Sequence, residues 1–167
     1  FYECASLQKV DLGKGSNLSN IGSYAFASCT NMTTFSLASN SSLKIISDHM
    51  LENCQKLTNF TVPNATTTIA DSAFKDCFAL STIDFSSAGL LKEIGSYVFS
   101  SCRSLGEVNL PEALTKMGWY NFENCTGLKK VVLEPNVGIG TADSPELRFN
   151  NFKGCSSLEC IDVRGEA

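Results

Sequence analysis

Apolar residues recur along the chain at a long and nearly constant period, with polar residues between them. Seven times in 167 residues, Phe or Leu stands three positions before a cysteine, and Leu or Met stands three positions after it. Further apolar residues follow six and eight positions after the cysteine. The cysteines of this frame are separated by 25, 25, 23, 25, 23 and 30 residues, and they are Cys4, Cys29, Cys54, Cys77, Cys102, Cys125 and Cys155. A period of about 20–30 residues is typical of a solenoid, because each repeat buries its apolar side only against its neighbours.

Each repeat combines a strand pattern with a turn pattern. The segment after the cysteine ends in apolar–polar alternation, which predicts a short strand. Polar residues that can cap a helix stand three positions before the Phe or Leu, and they are Ser23, Asp48, Asp71 and Ser96. One or two helical turns are therefore expected after them. In the last two repeats Trp119 and Phe149 take this place, and we expect 3₁₀ or irregular turns there.

These patterns predict one α/β solenoid over residues 1–167, with about seven repeats of 23–30 residues. We expect a right-handed superhelix with short parallel strands on its concave face and short helical or 3₁₀ turns on the other side. A second apolar position lies five residues before the Phe or Leu, at Ile21, Ile46, Ile69, Ile94, Met117 and Leu147. The extra residues of the seventh repeat, 136–146, are expected to bulge from one edge, either as a specificity loop or as a loop without a role.

Composition excludes several classes of function. Charged residues make up 18% of the chain and the net charge is −4, without a Lys/Arg cluster, so a nucleic-acid or anionic-membrane surface is not expected. The apolar runs are too short to insert into a membrane. A single histidine, His49, and the lack of a P-loop, nucleophile elbow or metal-ligand motif argue against an enzyme, a metal site or a cofactor.

The eight cysteines indicate packing rather than cross-linking. Seven hold the same position in successive repeats, so their side chains point the same way, whereas a disulfide needs facing Cβ atoms. We expect these seven to form a ladder of buried, reduced thiols, each a small apolar group and a weak donor. Cys160 lies off this frame and alternates outward on its strand. A reactive role, an intermolecular role and cover by a further repeat remain open for it.

Strand residues that flank the inward apolar positions point outward and form a candidate binding face. The first outward row is Lys9, Thr34, Asn59, Thr82, Glu107, Lys130 and Cys160. The second outward row is Asp11, Ser36, Thr61, Asp84, Asn109, Val132 and Asp162. Both rows are mostly small and polar, and they lack the Trp, Tyr and Arg anchors of protein hot spots. Two interpretations of these rows remain open: a ribbon that is only solvated, or a surface that makes polar contacts with an extended ligand.

A further row stands two positions before the Phe or Leu, at Tyr24, His49, Ser72, Tyr97 and Tyr120. Tyrosine combines an apolar ring with a polar tip, so half-buried packing is expected here rather than ligand binding. No acid or nucleophile shares the repeat position of His49, and catalysis by it is not expected.

The frame resembles the BspA-like, or Treponema-type, leucine-rich repeats, whose pattern reads roughly L-x2-I-x-L-P-x2-[VL]-x2-I-G-x2-A-F-x2-C. The segment from Leu105 to Cys125 follows it closely, and so does the segment from Ile21 to Cys29. The resemblance covers essentially the whole chain. Proline follows the strand only at Pro63 and Pro111, and Leu51 replaces the Phe.

The resemblance implies a cell-surface or secreted protein without enzymatic activity. It would present a curved scaffold to a protein or glycan on another cell or in the host matrix, in adhesion. The alternative is a structural spacer that projects another domain. The chain starts and ends inside the repeat pattern, so we expect a fragment of a longer protein, or end-to-end self-association of exposed terminal repeats.

Overall fold

The computed structural model describes residues 1–13, 18–38, 41–134, 137–139 and 150–164. These residues form twelve short strands: β1 (Lys9–Leu12), β2 (Thr34–Leu37), β3 (Ile45–Ile46), β4 (Asn59–Thr61), β5 (Thr68–Ile69), β6 (Thr82–Asp84), β7 (Glu93–Ile94), β8 (Glu107–Asn109), β9 (Lys116–Met117), β10 (Lys130–Leu133), β11 (Gly138–Ile139) and β12 (Cys160–Val163). The strands fall into two rows. The ribbon consists of β1, β2, β4, β6, β8, β10 and β12, and the second row consists of β3, β5, β7, β9 and β11.

Strands of successive repeats pair in parallel and in the register of the sequence repeat. Lys9 lies opposite Thr34, Asn59 opposite Thr82, and Lys130 opposite Cys160. Inward apolar residues therefore stack on inward apolar residues, and outward polar residues on outward polar residues. This confirms the predicted parallel-strand solenoid, while its right-handed sense and the concave shape of the ribbon stay predictions.

The ribbon is hydrogen-bonded in three groups, β1–β2, β4–β6 and β8–β10–β12. Strands β2 and β4 contact each other without forming a ladder, and so do β6 and β8. Loop length differs at these two places. Ile94 follows Phe85 by nine positions, whereas Met117 follows Leu110 by seven. The repeats that contain β2 and β4 differ in the same way. Each interruption thus lies where a repeat with the longer loop is followed by one with the shorter loop.

The second row corrects the predicted seventh repeat. Ile139 in β11 lies opposite Met117 in β9, which is the position that the sequence pattern assigned to Leu147. Residues 138 and 139 therefore continue the second row and do not belong to a bulge. Residue 136 and residues 140–146, with Leu147, lie outside the described residues.

The predicted helical turns are not confirmed, so the fold is described better as a β-solenoid than as an α/β one. Residues 23–28 form consecutive turns, as do the equivalent residues of the following repeats. Within the part of the chain that the structure describes, helical geometry is confined to a 3₁₀ turn at 150–152. The predicted capping residues begin these turn segments and do not cap helices; they are Ser23, Asp48, Asp71 and Ser96.

Backbone hydrogen bonding explains why these segments do not become helical. The amides of Ala25 and Ala27 donate to carbonyls three residues earlier, within the turn. The amides of Tyr24, Phe26 and Ser28 donate instead to carbonyls of the next repeat, over 2.8–3.1 Å. An α-helix would keep all of these bonds within one repeat and leave the next repeat unpaired. The alternating pattern recurs along the stack and joins the turns into a third column.

This pattern places left-handed backbone at two positions of the second to sixth repeats. Eleven non-glycine residues in the described ranges have φ between 54° and 63°, including Tyr97, which stands two before its Phe, and Ser101, which stands one before its Cys. Both positions are the third residue of a four-residue turn, where a type II turn needs positive φ. Asn, Asp and His tolerate this region best among residues with a Cβ. Gly154 fills the same position in the seventh repeat, with φ of 76°.

A column of phenyl rings forms the centre of the core. Phe74, Phe99 and Phe122 are fully buried, and adjacent rings stack with centroids 5.6–5.7 Å apart. Phe152 continues the column 5.6 Å from Phe122. Such offset or edge contacts stabilise a core beyond the area that they bury.

Leu51 interrupts the phenyl column, and two neighbouring strand residues fill the space. Phe35 packs edge-on against Phe26 at 5.0 Å, and Phe60 packs edge-on against Phe74 at 4.8 Å. The other repeats carry Val or Ile at this strand position. Core volume is therefore kept nearly constant although the repeats differ in sequence.

We predict that Phe99→Ala lowers the free energy of unfolding by about 3–5 kcal/mol, because it empties a fully buried site between two stacked rings. Urea titration followed by circular dichroism measures the change. Phe1→Ala is the matched control, since Phe1 holds the same repeat position but is 75% exposed, and its cost should stay below about 1 kcal/mol. Equal losses for the two variants would contradict the buried column.

Candidate binding face and cysteine ladder

The two predicted outward rows lie in register along the ribbon. Lys9, Thr34, Asn59, Thr82, Glu107 and Cys160 of the first row are exposed, and Lys130 is half-buried. In the second row Asp11, Thr61 and Asn109 are exposed, whereas Ser36, Asp84 and Asp162 are half-buried. Val132 is buried, with 8% of its surface exposed, and contributes to packing rather than to the face. We call these two rows, without Val132, the ribbon face.

Charges at the two ends of the ribbon face are paired. The Lys9 Nζ lies 3.7 Å from Asp11 Oδ2, and the Lys130 Nζ lies 3.1 Å from Asp162 Oδ2. The backbone amide of Gly13, with help from Ser36 and Lys9, lowers the pKa of the Asp11 carboxyl. The hydrogen bond to Asp162 raises the pKa of the Lys130 ammonium. Both shifts favour the charged forms of Asp11 and Lys130.

A cleft that the sequence reading missed opens at the interruption between β6 and β8. It has a volume of about 980 Å³ and is lined by the ends of both strands, by the two loops that follow them, and by Arg164. The longer loop contributes Ser86 and Gly89, and the shorter loop contributes Pro111 and Glu112. The alternation of 25- and 23-residue spacings was the one signal in the sequence that could have located it.

The cysteine ladder is a chain of thiol–carbonyl hydrogen bonds between repeats. The Cys54 thiol donates to the carbonyl of Phe26 at 3.3 Å, Cys77 to Leu51 at 3.1 Å, and Cys102 to Phe74 at 3.3 Å. Cys29, Cys125 and Cys155 make the equivalent bond at 2.9–3.2 Å. Each acceptor is the Phe or Leu of the preceding repeat, so every rung satisfies a carbonyl inside the core.

The sulfurs differ in accessibility along the ladder. Cys29, Cys54, Cys77, Cys102 and Cys125 are fully buried, Cys155 is half-buried, and Cys4 and Cys160 are exposed; all eight are free thiols. Burial raises the pKa of Cys54 to about 12 and that of Cys155 to about 11. Burial likewise raises the pKa values of the other four hydrogen-bonded thiols, which are Cys29, Cys77, Cys102 and Cys125.

The turn-side row forms two stacked aromatic pairs. The Tyr24 and His49 rings stack with centroids 4.3 Å apart, and Tyr97 and Tyr120 stack at 5.0 Å. Ser72 lies between the pairs and is buried. The His49 Nδ1 is 2.8 Å from Glu52 Oε2, and Glu52 also pairs with Lys75 at 3.4 Å. These contacts hold the ring between neighbouring repeats.

Two further features of the described ranges bear on function. No group of three or more His, Cys, Asp or Glu side chains there is arranged to hold a metal ion. None of the same residues forms a helix long and apolar enough to cross a bilayer.

Comparison with known families and structures identifies the repeat type. The family model described as "BspA type Leucine rich repeat region" matches in six copies, over residues 1–77 and 36–159. No curated protein matches the chain in sequence.

Two solved structures share the fold. The crystal structure of a T. pallidum leucine-rich repeat protein aligns with a TM-score of 0.72 and 29% identity, over 92% of this chain and 69% of that one. A leucine-rich repeat protein from Bacteroides ovatus aligns with a TM-score of 0.66 and 22% identity, over 93% of this chain. The chain spans only 43% of the B. ovatus protein.

We predict that iodoacetamide at pH 8 alkylates Cys4 and Cys160 rapidly in the folded protein, because their sulfurs are exposed. Cys155 should react slowly, since its pKa of about 11 keeps the half-buried thiol protonated. The five fully buried cysteines should react only after unfolding in urea. Peptide mass spectrometry of timed samples measures the order. Alkylation of Cys77 or Cys102 in the folded protein at the rate of Cys4 would overturn the ladder.

Proposed function

Since the chain belongs to the BspA-type leucine-rich repeat family, we propose that it is a non-enzymatic scaffold of a cell-surface or secreted protein. Its ribbon face would bind a protein or glycan of another cell or of the host matrix, and thereby support adhesion. The observation that carries this proposal is the periodic row of accessible polar side chains on a stack whose interior is closed. Repeat proteins commonly use such an extended surface to bind long ligands.

The chemistry of the ribbon face suits polar contact with an extended ligand. Thr34, Asn59 and Thr61 offer hydroxyl and amide groups at regular strand spacing. These groups are short and lose little side-chain entropy on binding. The parallel register holds them in line, so that a ligand meets a pre-organised surface.

The surface location rests on the family. BspA-like proteins are mostly exposed on, or secreted from, bacteria and some protozoan parasites, and the repeats here follow their pattern closely. Proteomic identification of the full-length protein in surface-shaved or culture-supernatant fractions tests this location.

A spacer is the second candidate function, and the continuous backbone pairing between repeats favours it. Hydrogen bonds join the turns from residue 3 to residue 153, which makes the described stack a stiff connector. In that role the ribbon face would stay solvated and the ligand would bind elsewhere in the longer protein.

We predict that Asn59→Arg weakens binding of the protein to a panel of matrix proteins and mucin-type glycans at least tenfold. The bulky charged side chain would stand in the middle of the ribbon face, where Asn59 is exposed. Surface plasmon resonance measures the affinity. Ser23→Arg is the matched control, since it adds the same group to an exposed position on the turn side, and it should bind normally. Equal binding by both variants would count against the ribbon face.

Removal of residues 55–102 from the full-length protein separates the two functions. The deletion takes out two whole repeats and joins equivalent positions, because Cys54 and Cys102 occupy the same place in the frame. We expect the shortened protein to lose most of its binding, since it loses Asn59, Thr82 and their neighbours. Full binding by a folded deletion variant would support the spacer instead.

A further inference from the structure

The cleft between β6 and β8 has a mixed polar and apolar surface and an acidic rim. The apolar part of its lining consists of Ile83, Phe85, Leu110 and Pro111. The first three of these are buried core residues. Asp84, Glu107 and Glu112 place three carboxylates around it. A volume of about 980 Å³ is ample for one long side chain and the peptide that carries it.

Two of these carboxylates form no close ion pair, although Lys130 lies opposite Glu107 on β10. Asp84 and Glu107 form no ion pair within 4.0 Å among the residues that the structure describes. Asp84 Oδ1 accepts a hydrogen bond from the Ser86 amide at 2.9 Å, and this bond fixes the position of the carboxylate. The other acids of the ribbon face, Asp11 and Asp162, are both paired with lysines. The two carboxylates of the face that lack a close ion pair therefore both lie at the cleft.

The rim already contains one guanidinium held by carboxylates. Arg164 Nη1 lies 3.0 Å from Glu134 Oε1 and 3.7 Å from Glu112 Oε1, so it bridges the loops of two consecutive repeats. Arginine suits this geometry because its planar fork presents several donors to carboxylates. Asp84 and Glu107 lie on adjacent ribbon strands and have no such group.

We propose that the cleft receives an arginine side chain from an extended, basic segment of a protein partner. The aliphatic stem packs on the accessible edge of Phe85 and on Pro111, and the guanidinium binds Asp84 and Glu107. An amphipathic side chain matches both parts of the cleft, whereas a bare inorganic cation would leave the apolar surface exposed. This assignment rests on the proposed function, since it names the chemistry of a ligand for the ribbon face.

The probe is an acetylated and amidated peptide, Gly-Gly-Arg-Gly-Gly, titrated into the nitrogen-15-labelled protein. The matched control peptide carries citrulline, which has nearly the same shape as arginine but no charge. We expect saturable shifts of the Ser86, Gly89 and Asn109 amide signals with the arginine peptide, and at least tenfold weaker binding of the citrulline peptide. Addition of 0.5 M NaCl should also weaken binding of the arginine peptide, because it screens the charges.

Asp84→Asn and Glu107→Gln test the two carboxylates separately. Each should weaken binding of the arginine peptide about tenfold, while Asn at position 84 keeps an oxygen for the Ser86 amide. Glu159→Gln is the control for net charge, since Glu159 is exposed and precedes β12, at the opposite end of the ribbon strands from Arg164. It should bind like the unaltered protein.

Three results would overturn this inference: no shifts at the cleft, equal binding of the two peptides, or equal weakening by Glu159→Gln. None of them bears on the ribbon face as a whole. If the protein still binds a macromolecule and Asn59→Arg abolishes that binding, the proposed function stands and only the assignment to arginine fails.

Discussion

The hydrogen bonds that pass from the turns of one repeat to those of the next constrain the rest of the structure. Every second amide in the turn segment donates to the following repeat, as from Phe74 to Val98 and from Phe99 to Asn121. This spacing brings each Phe ring onto the ring of its neighbour and each thiol within reach of a carbonyl. The phenyl column and the cysteine ladder therefore follow from one backbone arrangement, which has two left-handed residues in each of the second to sixth repeats.

Much of the fold could be predicted from the sequence because the apolar positions repeat without drift. The pairing of Lys9 with Thr34, and of Lys130 with Cys160, follows directly from counting residues from the cysteines. At the turns, by contrast, the helix-capping propensity of single residues led to the wrong prediction of helical turns. Ser23 and Asp48 are residue types that cap helices well. Here every second amide of the turn donates to a carbonyl of the next repeat, whereas an α-helix would use all of these amides for bonds within its own segment.

The candidate site was harder to predict, for two physical reasons. Val132 alternates outward in sequence, yet its surroundings bury it, because burial depends on neighbouring loops as well as on strand direction. The cleft arises from a mismatch between two loops, and no single residue signals it. Only the comparison of one repeat with the next, 25 residues against 23, contains that information. Ile139 takes the register position in the second row that the sequence pattern assigned to Leu147.

The alternation of loop lengths gives the array a simple means of variation. Where two repeats with the longer loop follow each other, their ribbon strands form a hydrogen-bonded ladder, as β1 and β2 do. Where a repeat with the longer loop is followed by one with the shorter loop, the ladder is interrupted. Two residues gained or lost in a surface loop leave the core frame intact, since the phenyl and cysteine positions are untouched. The order of long and short repeats along the chain thus determines where the ribbon ladder is interrupted, and a change of that order would move the interruption without altering the core.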